Sequence, residues 1–409
     1  MKKRLLVLTS RFPYPPHSGG KLTLLYIAKA FVDYDLTLLS LCGSREEMET
    51  EPGDNLFAAV HKVYLPKWKS YWGALMALPG HAPIQLAYYR SREFQRKVEE
   101  LLPQHDAVLA HLIRVGQYVA GADQKTPNIL FMADAISLAY RRLSMLPEAS
   151  LLWSILSRVE MKRLMRYEKT CPVGFGLVWL HSDFDRSFLG LEQASVKILP
   201  LGIDFDQFPF NPAASGDVVA FVGNMSFSLN LDACRHFVRD ILPKLRARAG
   251  IRFRMIGACS QAVKEEFARY EGVEVTGEVG RIADAMSGVF CGVCPVRAAS
   301  GIQNKILNYL ALGVPCVTSD VGLEGLNAQN GRDLLVYQKP EEAVELILRL
   351  HGEPALRAEV ATNGRAYVER AHDWKVIHRG IRRDVSELLS EGMNSSAGSP
   401  PRNEVKGAH

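Results

Sequence analysis

Short runs of consecutive apolar residues alternate with amphipathic stretches along almost the whole chain. "RLLVLTS", "LTLLSLC", "AVLAHL", "NILFMAD", "FGLVWLHS" and "VKILPLG" occupy the first half; "VVAFVGN", "IRFRMIG", "VEVTGEV", "GVFCGVCPV", "PCVTSD" and "DLLVY" occupy the second. Each is short, apolar and set apart from the next by polar or helix-period segments, so each reads as a strand. Segments with a helical period lie between them, at 21–32, 91–102, 155–169, 229–248, 303–312, 340–351 and 354–371. The strand runs are continuous rather than alternating, the pattern of parallel strands covered on both faces. Two such series predict an α/β chain of two doubly wound, Rossmann-like domains. The stretch "PLGIDFDQFPFNPAASGD" interrupts the pattern with Pro, Gly, Asn and Asp, which sets a first domain at 1–200, a linker at 201–216 and a second domain at 217–372. The end, 392–409, is rich in Ser, Gly and Pro without periodic apolar residues and predicts a disordered tail.

Composition refines this picture in three places. The chain has 409 residues, enough for two sizeable cores at roughly 100–200 residues per domain. Residues 1–200 carry 25 Lys and Arg against 19 Asp and Glu, while 201–409 carry 24 against 25, so the basic excess lies in the first half. An excess there suits an anionic partner, either phosphates or an anionic membrane surface. The seven cysteines are an odd number scattered over a long chain, which argues for free thiols in a reducing compartment. Cys291 and Cys294 lie in an apolar strand run, not before a helix, and read as buried thiols. The basic start "MKKRLLVLTS" is too short in its apolar part for a signal peptide, and no run approaches the roughly 20 apolar residues that span a bilayer.

Four glycine-bearing loops carry candidate chemistry. In "PYPPHSGGKLTLLYIAKAF", Gly19 and Gly20 precede a helix, where glycine lets backbone N–H groups approach an anion at the positive helix end. The spacing is neither a P-loop nor G-x-G-x-x-G. In "AFVGNMSFSLNLDACRHF", a strand ends at Gly223 and Asn224, the end at which α/β domains bind ligands. In "EVTGEVGRIADAMSG", Val279 and Gly280 form a loop that can offer main-chain groups to a flat heterocycle. In "GIQNKILNYLALG", Gly301 stands before a helix whose spacing places Asn304 and Asn308 on one face with Lys305 beside them. A polar stripe at a helix start, with a glycine for close approach, suits a pyrophosphate or a ribose. Each loop alone is equally well a turn or a solvated face; their order places ligand groups from two domains across one cleft.

These segments resemble the GT-B glycosyltransferases, in particular glycosyltransferase family 4 and its bacterial exopolysaccharide sugar transferases. "FPYPPHSGG" resembles the N-terminal loop of that family, "KILPLGIDFDQFPF" its interdomain signature, and residues 272–326 its donor-binding block. The resemblance implies two Rossmann-like domains facing a cleft, with a last helix, 373–391, crossing back onto the first domain. It implies that the second domain binds a nucleoside-diphosphate sugar, with GDP-mannose as the expected donor and a UDP-hexose close behind, and that no cofactor or metal is needed. Val279 and Gly280 would hold the base, Asn308 the ribose, and Ser300, Gly301, Asn304 and Lys305 the diphosphate and sugar, with Gly19 and Gly20 approaching from the other domain. Transfer would retain the anomeric configuration.

The chain departs from the pattern of that family at several points. The family has two glutamates eight positions apart where this chain has Ser300 and Asn308. It has an Arg and a Lys after the "FVGN" strand where "NMSFSLNLDAC" supplies neither, which raises the weight on Lys305. Its histidine late in the first domain is also missing; Asp134 stands near that place, and His111 is the other candidate. The acceptor would be a saccharide or lipid-linked saccharide. The basic amphipathic stretches 67–78 and 151–169 would suit a peripheral contact with the cytoplasmic face of the inner membrane, or equally the packing of ordinary domain helices. The expectation is thus a cytoplasmic hexosyltransferase of bacterial exopolysaccharide biosynthesis. A nucleotide-sugar-binding scaffold, and a nucleotide-sugar hydrolase or epimerase, are the alternatives.

Overall fold

A computed structural model describes residues 2–16, 19–120, 126–145, 151–212 and 216–397. Two parallel sheets organise them. The first contains β1 (Lys3–Thr9), β2 (Tyr34–Cys42), β3 (Ala59–Tyr64), β4 (Ala107–His111), β5 (Asn128–Ala133), β6 (Leu177–Leu180) and β7 (Val196–Ile198), in the order β3-β2-β1-β4-β5-β6-β7. The second contains β8 (Val218–Val222), β9 (Arg252–Ile256), β10 (Val273–Gly277), β11 (Val289–Cys294), β12 (Cys316–Ser319) and β13 (Leu335–Tyr337), in the order β10-β9-β8-β11-β12-β13.

Burial on both faces explains the continuous apolar runs. Along β1, Leu6 and Leu8 join one core with Leu39 and Leu41 of β2, while Leu5 and Val7 join the core on the opposite face with Leu38. Successive side chains point to opposite sides of a strand, so a strand covered twice has no position left for a polar residue. β3 lies at the sheet edge, and its sequence "AVHKVY" is interrupted by His61 and Lys62, with only Val63 buried. A strand like this does not read as an apolar run, so the hydrophobic pattern misses it. The helix expected at 229–248 runs as Ser228–His236 and Leu242–Ala249 joined by one wider turn, in which Leu242 N–H bonds Phe237 O. Pro243 lies at that joint and cannot continue a regular hydrogen-bond ladder.

The order of each sheet reverses direction once, between β1 and β4 in the first and between β8 and β11 in the second. Crevices at such switch points, outside the carboxyl ends of the strands, are where open parallel sheets take ligands. β1 and β4 end side by side at Thr9 and His111. β8 ends just before Gly223 and Asn224.

Residues 201–212 lie along the second domain: Leu201 and Ile203 belong to its core, and Asn211 N–H bonds Leu312 O at 3.0 Å. The last helix, Trp374–Ala397, leaves that domain and packs on the first, where Ile377, Ile381 and Val385 join the core of Leu5 and Val7. Trp179 Nε1 donates to Asp384 Oδ2 at 3.0 Å and fixes the crossing. At the crossing point Ile203 N–H bonds His372 O at 2.7 Å, and the Trp374 ring stacks on Tyr26 with centroids 4.9 Å apart. Gly202 faces that indole so closely that an added Cβ would come within 2.3 Å of it. The helix extends through Ala397, past the expected end at 391, and the remainder of the expected tail, 398–409, lies outside the described residues. The seven cysteines are free thiols, with Cys291 and Cys294 buried on β11. Among the described residues, no helix is long and apolar enough to cross a membrane.

Candidate functional site

A cavity of about 590 Å³ lies between the domains, at the carboxyl ends of both sheets. The first domain contributes Gly19, Leu22, Thr23 and Tyr26 from one helix, Gly19–Lys29. The second contributes Gly223, Asn224 and Asn230 behind β8, Glu278 and Val279 behind β10, and Gln303, Asn304, Lys305 and Asn308. Asp204, Gln207 and Trp374, from the segments that join the domains, close the back.

The helix Asn304–Leu312 presents the polar stripe to this cavity and buries Ile306, Leu307, Leu310 and Ala311. Gln303 precedes it without a side-chain cap, and Gly313 ends it at φ 78°. Its first turn therefore offers N–H groups and the positive end of the helix dipole. Lys305 is buried rather than solvated: its Nζ donates to Gln303 Oε1 at 3.0 Å and lies 5.0 Å from the centre of the Phe221 ring. An ammonium kept out of water in this way is costly unless an anion accompanies it. Across the cavity, a Cβ on Gly19 would come within 3.0 Å of Asn304 Nδ2, so the two domains approach each other closely here.

The loop behind β8 is held by its own amides. Asn224 Oδ1 accepts from Ser226 N–H at 2.9 Å, and Asn230 Nδ2 donates to Asn224 O at 2.9 Å. A Cβ on Gly223 would meet Asn230 at 2.9 Å, so the glycine keeps the loop against the sheet. Gly20 and Gly280 are exposed and lie beside the cavity, not in its wall.

Asp134 and Gly301 meet each other next to the cavity. Gly301 has φ 65°, and a Cβ there would lie 1.9 Å from Asp134 Oδ1. That oxygen is buried and has no hydrogen-bond partner among the described residues. Burial, with the nearby Asp185 and Glu168 carboxyls, raises Asp134 well above the usual carboxylate range, which favours the neutral form that can donate a hydrogen bond. Glu168, pushed up to about 7 by its own burial, accepts Ile136 N–H at 2.6 Å at the start of the helix Ile136–Leu143. Ala133, the residue before Asp134, sits at φ 67°, a strained conformation for a residue with a side chain. Ser300 is half-buried beside Gly301.

His111 is buried at the end of β4 and stacks on Phe131 with ring centres 5.3 Å apart. Burial and the Arg114 charge hold its pKa down to about 3, so the imidazole is neutral. It lies outside the cavity wall, as does Asp134.

Several residues of the site carried no signal in the hydrophobic pattern or the glycine loops. Arg142, on the Ile136–Leu143 helix, crosses between domains to Ala299 O at 2.6 Å and to both oxygens of Glu324. Tyr26 donates to Asp204 Oδ2 at 2.6 Å across the back of the cavity. Arg297 is paired with Asp232 rather than presented to the cavity. The signature stretch "LGIDFDQF" was the one sequence clue to the Asp204 and Gln207 wall.

Comparison with known proteins agrees with this architecture. Residues 216–353 match the family model described as glycosyl transferases group 1. The chain is 20% identical to a Klebsiella pneumoniae protein described as an uncharacterized 44.6 kDa protein in the cps region, over 92% of this chain and 98% of the relative. Among solved structures, sucrose-phosphate synthase from Thermosynechococcus elongatus superposes with a TM-score of 0.72 at 13% identity, covering 95% of this chain and all of that one. Anabaena HepE, crystallised in complex with UDP, superposes with a TM-score of 0.63 at 15% identity, covering 94% of this chain and all of that one. The fold is GT-B.

Proposed function

We propose that this chain, a GT-B protein whose residues 216–353 match the glycosyl transferases group 1 model, is a retaining hexosyltransferase that uses a nucleoside-diphosphate sugar. The observation that carries the reading is the cavity that joins Gly19 of one domain to Asn304, Lys305 and Asn308 of the other. A UDP-hexose ranks ahead of GDP-mannose as donor, because HepE of the same fold has been captured with UDP and with UDP-glucose. The relative from a cps region favours an acceptor in polysaccharide assembly.

In this reading the base lies against the Val279 loop and the ribose against Asn308. The diphosphate lies at the first turn of the Asn304 helix with Lys305. The bond from the sugar C1 to the diphosphate oxygen breaks as an acceptor hydroxyl bonds to C1, and the hydroxyl proton passes to the departing diphosphate. Stabilising that departing charge is the main demand on the protein, and we assign it to Lys305 and the helix N–H groups, with no metal ion or cofactor. Asp134, neutral and beside Gly301, would donate a hydrogen bond to the sugar or the acceptor.

A thermal-shift series with UDP, GDP, ADP and dTDP tests the donor site. At a hundredfold excess over Kd, the matching nucleotide adds about 2.7 kcal/mol of stability and must raise the melting temperature. No rise with any of them would sink the reading. Binding without turnover in the presence of acceptors would favour a scaffold, and turnover without acceptor a hydrolase.

We also infer a peripheral contact with an anionic bilayer through the helix Lys67–Met76, which leaves Trp68, Tyr71, Trp72, Leu75 and Met76 exposed beside Lys67 and Lys69. Ile155 and Val159, with Arg158 and Lys162, extend the patch on the neighbouring helix Leu151–Thr170. Arg163 of that helix ties the two together by donating to Leu78 O at 2.6 Å. Aromatic rings interleaved with basic side chains match the interface of an anionic membrane. Wild-type protein is expected to co-sediment with phosphatidylglycerol vesicles but not phosphatidylcholine vesicles, and Trp68→Ser/Trp72→Ser to stay in the supernatant. Equal sedimentation of both proteins would remove the patch from membrane contact.

A further inference from the structure

A second cavity, of about 430 Å³, opens in the first domain at the carboxyl ends of β1, β2 and β3. Its wall carries Arg11, Lys21 and Lys67 against a single carboxylate, Glu47. Glu47 is already engaged: one oxygen accepts Gly43 N–H at 2.8 Å, and the other lies 4.0 Å from Lys21 Nζ. Among the described residues, neither Arg11 nor Lys67 is paired with a carboxylate. Arg11 is anchored instead by its Nε donating to Tyr89 Oη at 3.1 Å, and Tyr88 adds a second ring to the wall. A concave site with two uncompensated cations attracts an anion, and a neutral sugar would need neither.

The place of this cavity connects it to the cleft between the domains. Gly19 lines the interdomain cavity and Lys21 lines this one, so the first turn of the Gly19–Lys29 helix separates them. Lys67 and Ser70 face this cavity from the same helix that leaves Trp68 and Trp72 exposed.

We propose that this second cavity binds a phosphate group of the acceptor, so that the acceptor is a phosphorylated saccharide or a saccharide on a diphosphate carrier. The proposal rests on the transferase reading above and names its second substrate class. Two sources share the chemistry, a soluble sugar phosphate and a prenyl diphosphate held in a membrane.

The test is calorimetric titration of three probes into UDP-loaded full-length protein: inorganic pyrophosphate, glucose 1-phosphate and farnesyl diphosphate. At least one probe is expected to bind. Its affinity is expected to fall at least tenfold in Arg11→Ala/Lys67→Ala. Both altered side chains are exposed, and the charge-keeping variant Arg11→Lys/Lys67→Arg is expected to regain most of the binding, which separates charge from misfolding. Tighter binding of farnesyl diphosphate than of pyrophosphate would identify the lipid-borne source, and tighter binding of glucose 1-phosphate the soluble one; either supports the site. Equal affinity in the wild type and the Ala/Ala variant, or no binding of any probe to wild type, would overturn it. Failure of UDP to load is read separately, by its own titration, and counts against the donor reading. The probes titrated into unloaded protein then still compare wild type with the Ala/Ala variant.

Discussion

Lys305→Met is expected to weaken nucleoside-diphosphate binding roughly 10- to 150-fold, the equivalent of about 1.5–3 kcal/mol for a hydrogen bond to a charged group. Methionine keeps the apolar stem that packs near Phe221 and removes the ammonium. The fold is therefore expected to hold, and the melting temperature of the unliganded variant to stay close to wild type. Among the described residues, Lys305 is the one Lys or Arg side chain in the wall of the interdomain cavity, and the nearby Arg297 is paired with Asp232. The loss should be large for a nucleoside diphosphate and small for the nucleoside, because only the phosphates meet the ammonium. Titrating both into the variant checks this. Equal affinity of the variant and the wild type for the diphosphate would place the anion elsewhere.

Gly301→Ala is expected to abolish most of the activity, by at least about a hundredfold, the scale of a 1 Å misplacement at a reacting centre. Two effects add. At φ 65° a residue with a Cβ carries roughly 1–2 kcal/mol of strain. The new methyl would also lie 1.9 Å from Asp134 Oδ1, so either the loop or the first domain must move. Arg142 donates to Ala299 O, two residues before the glycine, so movement there also loosens another contact between the domains. Adding Asp134→Ala should recover the part due to the clash and leave the part due to φ. The stabilities of the four proteins form a cycle that isolates the coupling. An unfolding midpoint and activity unchanged by Gly301→Ala would mean that Asp134 and Gly301 do not meet in the working protein. Asp134→Ala alone also asks whether the neutral carboxyl has a role of its own in turnover.

The pairing of Asp134 with Gly301 also marks where reading the chain stops. In the sequence Asp134 stands out only by its place near a missing histidine, and Gly301 by its place before a helix; no local pattern connects them. The same holds for Arg142 and Glu324, which are 182 positions apart. Such contacts exist only because two domains, each folded on its own periodicity, come to face each other. Gly20 and Gly280 are the converse case: their local signals were as good as those of Gly19 and Val279, yet one residue along a turn takes each out of the cavity wall.

What the chain alone determined is what local physics records. Of the thirteen strands among the described residues, twelve are legible in the sequence, the central ones because both faces of a parallel sheet are buried, which forces consecutive apolar residues. The helix at 304–312 and its Asn304, Lys305 and Asn308 stripe were legible because a helical period places those three together wherever the helix lies. What only the tertiary structure decided is what depends on distance across the fold. An edge strand such as β3 is fixed by its neighbour β2 rather than by its own composition. The burial of Lys305, the raised pKa of Asp134 and the cation-lined cavity of Arg11, Lys21 and Lys67 all arise from groups far apart in sequence. Burial and electrostatics act through space, and the order of residues carries them only once the chain has closed on itself.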